Sequence, residues 1–134
     1  MKFWPKPFAI LFLIFSVLLV ACSDESPSPA REYHQLETQG VQAVSAASAT
    51  FIANILTSGK EPILQHGFTW GRTRPFADKP GFGTKYLGSR TGTGTFATTV
   101  EYAFTKKSVY YVRPFVKTAN TIVYGNMVAF TPNP

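Results

Sequence analysis

Few residues in this 134-residue chain are equipped for chemistry, and their spacing says which chemistry is open to them. There is one thiol, Cys22, and there are two imidazoles, His34 and His66. No two of these lie at the short spacings that close a metal shell, so no metal is expected. Beyond Thr38 the carboxylates are Glu61, Asp78 and Glu101, far apart in sequence and forming no evident acid and base pair. Serines are plentiful, yet no Gly-x-Ser-x-Gly turn presents one as a nucleophile. The glycines from Gly88 to Gly94 precede no helical pattern and lack the lysine of a phosphate loop, so they read as a turn. Neither an enzyme nor a cofactor is expected, and a hydrolase is the outside alternative.

The chemistry that remains belongs to Cys22. Lys2 and Lys6 precede an apolar run of 13 residues, Phe8 to Val20. That is a secretory leader, too short for a membrane span of roughly 20 residues. It ends in Leu19-Val20-Ala21-Cys22, which resembles the lipobox of bacterial lipoproteins. The resemblance implies cleavage before Cys22, with residues 1–21 as signal peptide, and acylation of its thiol, palmitate-type chains holding the protein on a membrane without crossing it. The sole cysteine would then be unavailable for a disulfide, and the exported chain must be stable on its hydrophobic core alone.

The formal net charge of +6 falls to +4 once Lys2 and Lys6 are removed, and from Thr38 onward ten Lys or Arg face three acids. Such a balance draws polyanions. Export argues against nucleic acid and for acidic glycans, lipopolysaccharide phosphates or acidic protein surfaces. Residues 22–37, the lipidated cysteine and a Ser-, Pro- and Glu-rich stretch without apolar periodicity, read as a flexible tether of up to about 50 Å. Within it, Ser23-Asp24-Glu25-Ser26 resembles the acidic export signal of surface lipoproteins in Bacteroidota, which implies display on the outer face of the outer membrane.

Residues 38–134 read as strands. Thr, Val, Phe and Tyr dominate, and turn residues recur every 8 to 12 positions, as in an all-β sandwich or barrel. The alternation predicts seven strands, over 36–44, 49–57, 63–71, 85–89, 95–102, 109–118 and 122–131. It also predicts inward faces made by Ala49, Phe51, Ala53 and Ile55, by Phe68 and Trp70, and by Phe96, Thr98 and Val100. Tyr110, Val112, Pro114 and Val116 line a further one, and Val128 and Phe130 the last.

The run Phe104 to Val116, with Tyr110-Tyr111-Val112-Arg113, followed by Tyr124-Gly125-Asn126-Met127-Val128-Ala129-Phe130-Thr131, resembles the closing strands of fibronectin type III-like domains common in Bacteroidota. Ser48 to Phe51, Gly67 to Trp70 and Gly92 to Phe96 fall in the same family's order. The resemblance implies a seven-stranded immunoglobulin-like, fibronectin type III-like antiparallel β-sandwich. It also gives Tyr110 the role of a tyrosine corner, its hydroxyl bonding to backbone upstream. Lys106 stands where the family has proline. Pro114 cannot donate to a ladder, so a bulge or missing hydrogen bond is expected beside it.

Two surfaces are candidates for binding. The loop from Gly71 to Thr84, with Tyr86 just beyond it, mixes Arg72 and Arg74 with Phe76, Phe82 and Tyr86, cations for acidic groups and rings for stacking. The outward face of the sixth strand offers Tyr111, Arg113, Phe115 and Lys117, an aromatic and arginine-rich composition suited to an interface. Trp70 and Tyr110 are expected to be structural. The leading expectation is a lipid-anchored, noncatalytic module on the outer membrane surface that contacts glycan or protein partners in adhesion or assembly. The alternative is a periplasm-facing accessory bound to a partner protein.

Overall fold

A computed structural model describes residues 33–72 and 83–133, and the leader, Cys22 and most of the long loop lie outside them. Eight strands follow one another: β1 (Gln35–Gln42), β2 (Ser48–Thr57), β3 (Ile63–Gly71), β4 (Gly83–Arg90), β5 (Gly94–Glu101), β6 (Tyr110–Lys117), β7 (Ile122–Tyr124) and β8 (Val128–Phe130). No helix occurs among the described residues. One sheet has the order β1-β2-β5 and the other β4-β3-β6, with β7 and β8 both pairing the free side of β6. All pairs are antiparallel, and the fold is an all-β sandwich.

The two sheets meet through the alternating residues the sequence predicts. Ala49, Phe51, Ala53 and Ile55 of β2 are all buried, and β5 sets Phe96 and Val100 beside them, while Thr98 is only half-buried. The facing sheet contributes Phe68, Trp70, Tyr110, Val112 and Val116, with Val128 partly buried at the margin. Phe51 is the hub: its ring lies 5.6 Å from Phe68, 5.4 Å from Trp70 and 5.6 Å from Phe130. Such tilted pairs each add about 0.5–1.5 kcal/mol beyond the area they bury. The Tyr110 hydroxyl accepts a hydrogen bond from the Thr105 N–H at 2.8 Å, while its ring packs between Phe104 and Phe130. The corner therefore forms without the proline.

The expected seventh strand is two strands, and Pro114 is the reason. β7 pairs as far as Phe115↔Tyr124 and β8 resumes at Val112↔Val128, leaving Arg113 and Pro114 opposite Gly125, Asn126 and Met127. Two residues against three make a bulge. Pro114 has no N–H, and its carbonyl accepts from the Gly125 N–H at 2.9 Å. Gly125 is required by close approach, since a Cβ there would lie 2.6 Å from Pro114 Cγ and 3.2 Å from Leu36 Cβ. Asn126 then closes the seam between the sheets. Its side-chain oxygen accepts the Thr38 N–H at 2.8 Å and its carbonyl accepts the Thr38 hydroxyl.

The sandwich also starts earlier than composition suggested. β1 begins at Gln35, and His34, assigned to the tether, is buried. The Gly59 N–H donates to His34 Nδ1 at 2.9 Å, which leaves Nε2 to donate to the Glu61 carbonyl at 2.9 Å. The side chain thus fastens the start of β1 to the β2–β3 loop. Composition misjudged this stretch because its histidine is used as a polar fastener rather than as a solvated residue.

Candidate binding face

Register assembles a row of side chains across the outer face of the five-stranded sheet. Gly67 of β3 pairs with Tyr86 of β4 on one side and with Phe115 of β6 on the other, and Phe115 pairs with Tyr124 of β7. Four strands thereby place Tyr86, Gly67, Phe115 and Tyr124 at one level. Gly67 makes the row possible, because a Cβ there would run into the Lys85 carbonyl and sit 3.3 Å from the Phe115 ring. The bare glycine backbone is covered by Tyr86 and Phe115, whose rings meet edge to face at 5.8 Å. This is the aromatic cover that strand glycines need.

Phe115, expected as part of an accessible interface, points to that face but is 4% exposed. The closing of the two rings over Gly67 accounts for this. What stays accessible is Tyr86 at 63% and Tyr124 at 43%. The Phe115 and Tyr124 rings are 6.5 Å apart, and the Arg113 guanidinium lies 3.8 Å above the Tyr124 ring centre. That is well inside cation–π range, so the half-buried Arg113 is held over the ring rather than extended into solvent. Lys117 is exposed one row further along, and Tyr111 is half-buried.

The two surfaces read from sequence are therefore partly one. Tyr86 joins the β6 face instead of the loop. Arg72 is exposed at the far end of the sandwich, where Nη2 donates to Ser108 Oγ at 3.4 Å. Arg74, Phe76 and Phe82 lie outside the described residues. Tyr124 was missed, and the bulge explains why. Counting back from Phe130 and Val128 by alternation turns Tyr124 inward; the extra residue between β7 and β8 reverses the parity and turns it out.

Charge is divided between the sheets. The outer face of the three-stranded sheet presents Ser48, Thr50 and Asn54, and its charged residues are Glu37 and Glu101, paired across from Asn54 and Ser48. The five-stranded face carries Arg113 and Lys117 instead. Among the described residues no three His, Cys, Asp or Glu side chains come together.

His66, expected to be partly exposed, is 6% exposed because its β3 position points into the sandwich beside Val116. Its Nδ1 is 2.7 Å from the Gly88 carbonyl and its ring meets Phe96 edge-on at 4.9 Å. Burial, aided by the nearby Arg90 charge, pushes its pKa below the usual 6.5 despite the opposing hydrogen bond to Gly88. The folded state thus holds the proton less tightly than the unfolded chain. Stability is full above the ordinary value of 6.5 and is lost as pH falls from there through the depressed value. Denaturant midpoints measured between pH 7.5 and 5 should decline, and His66→Gln should flatten that decline; an equal slope in the variant would assign the effect elsewhere.

No known family and no curated protein sequence matches the chain. Solved structures do share its fold. The solution structure of the sensor domain of the anti-sigma factor RsgI4 from Pseudobacteroides cellulosolvens superposes with a TM-score of 0.58 at 9% identity, over 75% of this chain and 76% of that one. A shorter version of the same sensor domain gives 0.57 at 10% identity, over 81% of this chain and 98% of that one. At these identities the likeness is one of fold.

Proposed function

We propose that the chain is a noncatalytic binding module of the fibronectin type III-like kind, tethered through acylated Cys22 to the outer membrane and displayed outside the cell. Its contact surface is the outer face of the five-stranded sheet. The observation that carries this reading is the level row of Tyr86, Phe115 and Tyr124, with Arg113 stacked on the last ring. Exposed rings offer apolar faces to sugar rings, and Arg113 and Lys117 add positive charge for acidic groups. An acidic glycan suits this combination best. A fold that serves elsewhere as a sensor domain is compatible with recognition.

A glycan array probed with the chain tests the reading. Binding to acidic glycans should weaken about tenfold for each of Tyr86→Ala and Tyr124→Ala, equivalent to about 1.4 kcal/mol apiece. Added salt should weaken the parent more than Arg113→Ala, because screening acts on the charge and not on stacking. If Arg72→Ala removes binding while the tyrosine variants retain it, the loop is the site and the face is structural.

A further inference from the structure

Both ends of every strand are fixed by register, and the two ends of the sandwich differ in character. Gln35↔Thr57, Ile55↔Gly94, Ile63↔Arg90 and Gln65↔Lys117 all lie at the end where the chain arrives from its N-terminal segment. Large apolar side chains ring this end: Tyr33 is 62% exposed, Leu56 50%, Leu64 56% and Ile122 45%. Lys60 and Lys117 are exposed at the same end, while Arg90 is half-buried, its guanidinium 5.5 Å from the Phe96 ring centre and donating to the Thr95 carbonyl at 3.2 Å. Two acids lie at this end among the described residues: Glu61, engaged by the Asn120 side-chain amide at 2.7 Å, and the exposed Glu37, whose partner Asn54 is one position from the Ile55↔Gly94 pair. Two clefts open on either side of the Lys60 loop, of about 450 and 670 Å³. At the opposite end the cations Arg72, Lys106 and Lys107 also occur, but Val109 is the large exposed apolar residue there among those described. Charge is therefore common to both ends, and the apolar rim is not.

We propose that this proximal end is a membrane-contact surface for anionic lipid. An apolar rim interleaved with cations matches the boundary between headgroups and acyl chains, where rings and leucines enter and lysines meet phosphates. The occupant follows from where the chain arrives. Cys22 and Tyr33 are eleven positions apart, a span of at most about 40 Å, so an anchor at Cys22 keeps this end within that distance of the bilayer. The proposal rests on the lipid-anchor reading only for how the domain is delivered. With the end seated, the strands run away from the membrane and the Tyr86–Tyr124 face stands upright, open to partners from the side.

The test uses the full chain carrying Ser58→Cys at the proximal end or Ala103→Cys at the distal end, both exposed positions, labelled with a thiol-reactive dye. The unsubstituted chain sets the background and reports whether the Cys22 thiol is free. The protein is added to phosphatidylcholine vesicles, with or without phosphatidylglycerol, that contain nitroxide-bearing lipid as quencher. The dye at 58 should be quenched several-fold more than the dye at 103 in the anionic vesicles. Each basic residue near an anionic surface changes binding about fivefold, so Lys60→Glu with Leu64→Ser should erase most of the difference while the chain still sediments with the vesicles. Equal quenching at 58 and 103 in a sedimenting chain overturns the proposal and leaves the anchor reading intact. Sedimentation with anionic vesicles alone, with the same 58-over-103 pattern and a free Cys22 thiol, supports the proposal and removes the anchor reading. Failure to sediment with either overturns both.

Discussion

Trp70→Ala is expected to lower the unfolding free energy by about 3–5 kcal/mol. The indole is 4% exposed, lies 5.4 Å from Phe51 of the facing sheet and meets Tyr102 edge-on at 5.6 Å. On its other side the Gly83 backbone presses against the ring so closely that a Cβ there would collide with it. Phe51 and Gly83 are fixed in the ladders of β2 and β4, and the Tyr102 N–H donates to the Ala47 carbonyl at 3.0 Å, so the cavity cannot readily collapse. Domains of this size have roughly 5–15 kcal/mol in total, and the variant is left marginal. Tyr110→Phe provides the scale: it keeps the ring but loses the acceptor for the Thr105 N–H, at a cost of about 1–2 kcal/mol. Urea unfolding followed by circular dichroism measures both. An unchanged midpoint for Trp70→Ala would contradict the packing described here.

Cys22→Ala is expected to abolish acyl incorporation outright. In the proposed lipoprotein both the attachment and the cut that follows it would depend on that thiol, and it is the chain's only cysteine. The variant should accumulate uncut or appear in the soluble fraction. Metabolic labelling with a fatty acid, followed by fractionation, reads both consequences. Equal labelling of parent and variant would end the lipoprotein reading.

The parts of the fold that depend on local alternation were legible in the chain. Ala49 to Ile55, Phe68 with Trp70, and Tyr110 to Val116 are consecutive inward positions of strands long enough to show their period. Three features were hidden, each set by something non-local. The split of the last strand depends on what lies opposite Pro114, and a proline advertises a missing donor without saying which neighbour bulges. The outward turn of Tyr124 follows from that bulge. The fastening of His34 needs Gly59 and Glu61, some 25 residues further on. Sequence resemblance did single out Tyr124-Gly125-Asn126, and the structure supplies the reason for two of the three. Gly125 fits against Pro114, and Asn126 ties Thr38 across the seam. The candidate face itself is a product of register: Tyr86 and Tyr124 are 38 positions apart, and only the pairing through Gly67 and Phe115 brings them level.

That pairing also shows where a partner seated on the five-stranded face would leave its mark. Hydroxyl-radical footprinting of the native chain, with and without the strongest ligand from the glycan array, reports side-chain protection without altering a residue. With a ligand on this face, Tyr86 and Tyr124 should be protected together, while Val109 and the Arg72 end are unchanged. Protection confined to the Arg72 end, with both tyrosines reacting as freely as in the unbound protein, would contradict that seating.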